Sequence, residues 1–202
     1  MPLVLVPADR VARWVENFTA RHGETVLTVD DGALGGTAAD GSTFRARLPF
    51  DERYAGEPDP AVFATAVSVP GDWGVLLVRK GGFAVARLAG TAVTDSKVGQ
   101  RHVQGRTKAG GQSQQRFARR RDNQARQAYE AAADHAARIL AGLTGPVAVG
   151  GDRTAVDEVL ADPRLRDLRP EDRWLAVPDP RRAVLEQAVQ DAVAVGIEVR
   201  NA

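Results

Sequence analysis

The chain has 202 residues with 27 Lys and Arg against 26 Asp and Glu, and 44% of it is hydrophobic, which suffices for one sizeable globular domain with an extension or two small ones. It holds no cysteine, which excludes a disulfide framework, a thiolate nucleophile and a cysteine-based zinc site, and suits a reducing cytoplasm. The near-neutral total hides an asymmetry, because from Lys97 to Arg126 nine Lys and Arg face one acid, Asp122, so that this stretch carries +8 and the remainder −7.

The apolar run Leu3 to Val6 is bracketed by Pro2 and Pro7 and has no basic leader, so it reads as neither a signal peptide nor a membrane span. Residues 9 to 21 place Val11, Trp14, Val15 and Phe18 at i, i+3, i+4, i+7, the pattern of an amphipathic helix docked on a sheet, with Asp9 as its expected cap. Runs over 25–30, 33–38 and 42–48 are separated by Asp31-Gly32 and Asp40-Gly41, strong hairpin signals, and predict a small meander. The proline-containing stretch 49–60 reads as a connection. A boundary is therefore expected near residue 60, with an N-terminal helix-and-meander extension over 1–60 and one domain over 61–202. Residues 61–69 are apolar, and periodicity alone leaves them open between a strand and a buried helical turn.

Three strands are predicted next, over 75–80, 83–88 and 91–104, joined by Gly81-Gly82 and Gly90. The third runs into a glycine-containing basic loop, 105–112. A long helix is expected over 113–142, with Phe117, Ala125, Ala128, Tyr129, Ala132, Ala136, Ile139, Leu140 and Leu143 tracing its buried side. A short strand (147–149), a helix (154–160), a strand (174–177) and a helix (180–194) complete the chain. Strand and helix alternate as in α/β folds with parallel neighbours, and the order of elements is that of an RNase H-like mixed sheet with flanking helices. The three histidines, His22, His102 and His135, lie far apart in the sequence without ligand spacing, so no metal or other cofactor is expected. Trp14, Trp73 and Trp174 sit in apolar periodic segments and are expected in the core.

The basic stretch asks for a polyanion. Arg116, Arg119, Arg120 and Arg121 fall in the first turns of the predicted helix, where the macrodipole disfavours each cation by about 0.3–1 kcal/mol. A bound anion relieves that repulsion, and neutralised phosphates release counterions. The alternative is a solvated helix face.

The string Gly110-Gly111-Gln112-Ser113, followed by Arg116-Phe117-Ala118-Arg119 and Arg121, resembles the catalytic loop and following helix of the eukaryotic and archaeal class I peptide release factors. A bare Gly-Gly-Gln is a poor signal in a chain with other Gly-Gly pairs at 35, 81 and 150, but the longer string and its register into the helix are specific. The resemblance extends from about Trp73 to the end. Within that superfamily the chain is most similar to the stand-alone Vms-like release factors, with a release-factor middle-domain-like fold. Nothing in it resembles a stop-codon-reading domain or a partner-GTPase domain.

What the resemblance implies is hydrolysis of the ester between a nascent peptide and tRNA on stalled ribosomes or large subunits, independent of a stop codon. It assigns catalysis to Gln112 with Gly110 and Gly111. Arg101, Arg106, Lys108, Arg116, Arg119, Arg120, Arg121 and Arg126 are expected to grip tRNA and ribosomal RNA phosphates. The partners implied are the large ribosomal subunit and peptidyl-tRNA in the cytoplasm, with the protein acting as a monomer away from membranes. Two other readings remain at this level: a non-catalytic ribosome- or tRNA-binding module, and a nuclease acting near the tRNA 3′ end. The metal-dependent form of the latter needs paired carboxylates, where the first strand of this sheet carries Arg79-Lys80 and only Asp152 lies near the second position.

Overall fold

A computed structural model describes residues 2–100 and 112–202, the backbone alone being described for Gln100 and for 112–125. The chain forms two compact units: Met1–Val69 together with Gln190–Ala202, and Pro70–Val189.

The first unit is an antiparallel five-stranded sheet in the order β1-β10-β4-β3-β2, made of β1 (Leu3–Val6), β2 (Thr25–Asp30), β3 (Ala33–Ala38), β4 (Thr43–Arg47) and β10 (Val195–Arg200). Helix α1 (Val11–His22) and α2 (Pro60–Thr65) contribute to its core. Val11, Val15 and Phe18 bury against Leu34, Phe44, Ala46, Phe63, Val195 and Ile197, and Phe18 and Trp14 both meet Phe44 edge-on, with ring centroids 5.1 and 5.3 Å apart. The two Asp-Gly turns are present as expected, with left-handed backbone at Asp31, Gly32 and Gly41. Asp59 caps α2 by accepting from the Ala61 and Val62 amides, so the segment after the loop is helical.

Two expectations differ here, and one segment left without an element gains one. Asp9 caps nothing: Ala8–Arg10 form a single 3-10 turn, and α1 starts at Val11 with no side-chain cap. Leu3–Val6, read only as a non-membrane apolar run, is a strand. Most importantly, the chain does not divide once near residue 60, because its last strand, β10, is inserted between β1 and β4 of the first unit. Its sequence Val-Gly-Ile-Glu-Val-Arg alternates apolar and polar, which puts Val195 and Ile197 into the core and Glu198 and Arg200 on the other face.

The second unit has the sheet order β7-β6-β5-β8-β9, with β5 (Trp73–Arg79), β6 (Gly82–Ala89), β7 (Ala92–Gln100), β8 (Pro146–Gly151) and β9 (Arg169–Leu175). The first three strands are an antiparallel meander, and β8 and β9 add parallel to β5. Helices α3 (Gln112–Ile139), α4 (Arg153–Leu160) and α5 (Arg182–Ala192) complete it. Numbered from β5, this is the 3-2-1-4-5 order of an RNase H-like mixed sheet, as the element order predicts. The central strand β5 is apolar on both faces and buried from Trp73 to Val78, as befits the middle strand of an α/β sheet, flanked by antiparallel β6 and parallel β8.

Because Ile197 is fully buried in a strand flanked on both sides, Ile197→Ala should cost about 2–5 kcal/mol. Val26→Ala, at a 66% exposed strand position, should stay within about 0.5 kcal/mol. Denaturant midpoints followed by tryptophan fluorescence check the contrast.

Candidate functional site

The site is organised by α3, whose 28 residues span about 42 Å at ~1.5 Å per residue. Its rear half is docked on the second sheet. Ala128, Ala132, Ala133, Ala136, Ile139, Leu140 and the following Leu143 bury against Leu76, Val78, Phe83 and Val85, and the run of alanines lets the helix lie close to the strands. Gly74 completes the seat: a Cβ there would stand 2.9 Å from Leu140 and 3.1 Å from Leu143. Just past the helix, Gly142 takes a left-handed φ of +66°, a conformation that stops α-helices.

Polar contacts then fix the helix in place. His135 stacks on Phe83 with centroids 5.5 Å apart. Arg138 pairs with Asp95 of β7 at 2.8 Å, and Arg164 reaches Asp134 at 2.7 Å. The strongest tie is Arg87 of β6, which donates through Nε and Nη2 to the two carboxylate oxygens of Asp72, each at 2.8 Å, and through Nη1 to the Ala141 carbonyl at 2.8 Å. A bidentate guanidinium–carboxylate pair is both directional and strong. These hydrogen bonds hold the Asp72 carboxyl below its ordinary range. Asp162, gripped by the same Arg164 that reaches α3, is held down to about 2.

The direction of α3 follows from these contacts. Its end, at Leu140 and Leu143, meets Gly74 near the start of β5, whereas His135 stacks on Phe83, which pairs with Val78 near the end of β5. The helix therefore runs antiparallel to β5. From Ala128 back to Gln112 it continues for on the order of 24 Å more, past the carboxyl edge of the parallel strands.

Gln112 is the first residue of α3, one residue earlier than the predicted start. Arg116, Arg119, Arg120 and Arg121 lie on this forward stretch of helix, where only the backbone is described. Arg126 is exposed on the same helix. Arg101, Arg106, Lys108, Gly110 and Gly111 lie outside the described residues, as does His102. Every stripe residue from Ala128 onward is buried as predicted, the side chains of Phe117 and Ala125 being outside the description.

The other sequence candidates have structural partners. His22 bonds Asp40 at 2.9 Å. Trp73 is fully buried and donates to the Gly90 carbonyl at 2.7 Å. Trp174 is half-buried beneath the Arg153 guanidinium, 4.5 Å from its ring centre. Among the described residues no group of His, Cys, Asp or Glu could hold a metal ion, and no helix is long and apolar enough to cross a membrane. Sequence reasoning missed the Arg87–Asp72 clamp, since a lone arginine in a strand and an aspartate in the preceding turn carry no spacing signal.

A meander followed by a long helix and two parallel strands, in 3-2-1-4-5 order, defines an RNase H-like α/β domain. The chain belongs to the Actinobacteria/chloroflexi VLRF1 release factor family, whose model matches residues 71–198. Among solved structures it is similar to one titled "Vms1 mitochondrial localization core", with 12% identity, a TM-score of 0.41, and coverage of 81% of this chain and 75% of that one. It is also similar to Pelota from Archaeoglobus fulgidus, with 11% identity, a TM-score of 0.29, and coverage of 95% of this chain and 63% of that one. No curated protein sequence matches it.

The clamp predicts a pH signature. A carboxylate whose pKa is lowered on folding adds stability above the unfolded value and loses it as pH falls through the folded value. Asp72→Asn should therefore cost on the order of 1 kcal/mol at pH 7, and its difference from wild type should shrink below about pH 4. Urea midpoints of both proteins across pH 3 to 7 measure it.

Proposed function

We propose that this protein hydrolyses the ester joining a nascent peptide to tRNA on stalled ribosomes or their large subunits, without reading a codon. The observation that carries the reading is the position of Gly110-Gly111-Gln112 at the head of a long basic helix whose far half is fixed to the sheet. Membership of a release-factor family supports it. A reactive group at the tip of such a helix can be carried into a deep site while the body stays outside.

The chemistry needs a water aimed at the carbonyl carbon and donors for the oxygens that gain charge. A glutamine amide has no pKa in the useful range and cannot act as a general base. It can orient the water through its side-chain amide, and the Gln112 backbone N–H can donate to the developing oxyanion or the leaving ribose hydroxyl. Gly110 and Gly111 supply backbone freedom and let the main chain approach the substrate without a Cβ in the way. Arg101, Arg106, Lys108, Arg116, Arg119, Arg120, Arg121 and Arg126 would neutralise phosphates of the surrounding RNA. The protein would work as a monomer in the cytoplasm, with catalysis in the second unit.

Nuclease chemistry finds less support. The carboxyl ends of β5 and β8, where a metal-dependent nuclease of this fold would hold acids, carry Arg79-Lys80 and Asp152. Asp152 is engaged as the cap of α4, accepting from the Ala155 amide.

Gln112→Ala should slow peptide release by on the order of 10² or more, the scale for losing one preorganised transition-state contact, while sedimentation with large subunits persists. Unchanged release by that variant would remove the assignment. Gly111→Ala should do similar damage. Release from stalled ribosomes should be the same with stop or sense codons in the A site, and hydrolysis of free peptidyl-tRNA should survive EDTA. A strong stop-codon preference, or a chelator-sensitive activity restored by manganese, would argue for a different mechanism.

A further inference from the structure

We propose that the carboxyl edge of the parallel strands in the second unit is a second RNA-binding surface, one that meets the phosphate backbone of large-subunit RNA at the rim of the cavity the forward helix enters. This rests on the reading of α3 as an arm reaching a buried ester.

The registers bring the relevant residues to one edge. Arg79 ends β5 opposite Gly82, Gly82 stands opposite Gln100 where β7 ends, Val78 is beside Gly151, and Gly150 is beside Leu175. The chain thus leaves β7 toward the basic loop at the same edge where β5, β8 and β9 finish. At Gly151 the backbone turns with a φ of +106°, close under the Val78 carbonyl, which accepts from the Asp152 amide at 2.8 Å. That turn sets Arg153 at the start of α4. The segment after β9 folds back over the β5–β6 turn: Arg79 donates to the Val177 carbonyl at 2.8 Å, and its Nε stands 3.4 Å from Asp179, whose carboxylate also lies beside Gly81. Arg181 and Arg182 follow directly.

Five cations, Arg79, Lys80, Arg153, Arg181 and Arg182, therefore gather at or next to this edge, where Asp152 and Asp179 stand among them. Both acids are engaged, Asp152 as the cap of α4 and Asp179 with Arg79. Lys80, Arg153, Arg181 and Arg182 are exposed, and none of them forms an ion pair among the described residues. Arg153 lies over Trp174 and Arg182 donates to the Ser96 hydroxyl at 3.1 Å, contacts that orient a guanidinium without neutralising it. A surface holding uncompensated, pre-oriented cations is suited to phosphates.

The choice of ribosomal RNA over tRNA follows from reach. His135 stacks on Phe83 next to this edge, and Gln112 lies roughly 35 Å further along α3. An arm of that length is required only when the reacting ester sits deep inside another body. The base of the arm then faces the mouth of the cavity, whose wall is the subunit itself. None of these five residues is needed for ester chemistry, so the surface contributes affinity and positioning.

The test is a Lys80→Glu/Arg181→Glu variant, with Lys80→Gln/Arg181→Gln as the milder control and thermal midpoints to verify folding. Binding to vacant large subunits, followed by sedimentation as a function of salt, should weaken at least tenfold, and the log-log salt slope should flatten by about 0.7–0.9 per lost contact. With large subunits carrying peptidyl-tRNA, the half-saturating concentration should rise and the maximal rate should hold. Hydrolysis of free peptidyl-tRNA should be unchanged. Equal losses on free peptidyl-tRNA would transfer the surface to tRNA and overturn the proposal, and unchanged subunit binding would mean that the edge faces solvent. The vacant-subunit assay does not depend on catalysis. A wild-type protein that binds but releases nothing would therefore refute the proposed hydrolysis while leaving this surface to be judged on its own result.

Discussion

The structure depends on one constraint: the rear half of α3 is fixed to the second sheet. The alanine-rich stripe from Ala128 to Leu143 lies in the groove made by β5 and β6, and the Arg87 guanidinium joins the sheet, the Asp72 turn and the carbonyl end of the helix in a single cluster. Most of a helix's stability in a protein comes from the packing of an amphipathic face. For α3 that packing is described from Ala128 onward, while the sequence of its forward stretch is rich in charge.

That division explains an arrangement that would otherwise be unfavourable. Arg116, Arg119, Arg120 and Arg121 crowd the end of the helix where the backbone dipole already presents positive charge. A free-standing helix would avoid this. The cations are tolerable where a polyanion meets them, and the cations of the carboxyl edge, Lys80, Arg153 and Arg181 among them, extend the same sign to the base of the helix. The acids that balance the chain as a whole are committed elsewhere, as Asp31 is between Arg45, Arg47 and Arg53 in the first unit. The near-zero net charge is thus an average over regions with different tasks.

The first unit shows how the chain ties its ends together. β10 lies between β1 and β4, so the carboxyl-terminal strand completes a sheet begun by the first residues, and the second unit occupies an excursion between residues 69 and 190. The family match, 71–198, spans the second unit and runs on into β10. An interior strand supplied from residues 195–200 gives this sheet a high sequence separation between paired strands.

Local sequence by itself determined most of the elements and the character of the site. Asp31-Gly32 and Asp40-Gly41 favour left-handed backbone and so specify turns, the 3.6-residue spacing of Val11, Val15 and Phe18 specifies a docked helix, and Gly110-Gly111-Gln112 with its arginines is legible as a motif because it is one contiguous string. The order β5 to β9 followed from the alternation of strand and helix. What only the tertiary structure decided is non-local. The pairing of β10 with β1 and β4 was not read, although its alternation was visible, because period-two patterning says which face is buried but not against which strand. The Arg87–Asp72 clamp and the cationic edge share that character, joining residues that are near in space and far apart, or merely unremarkable, in sequence. Hydrophobic periodicity is a property of a segment, whereas a salt bridge or a sheet edge is a property of a fold.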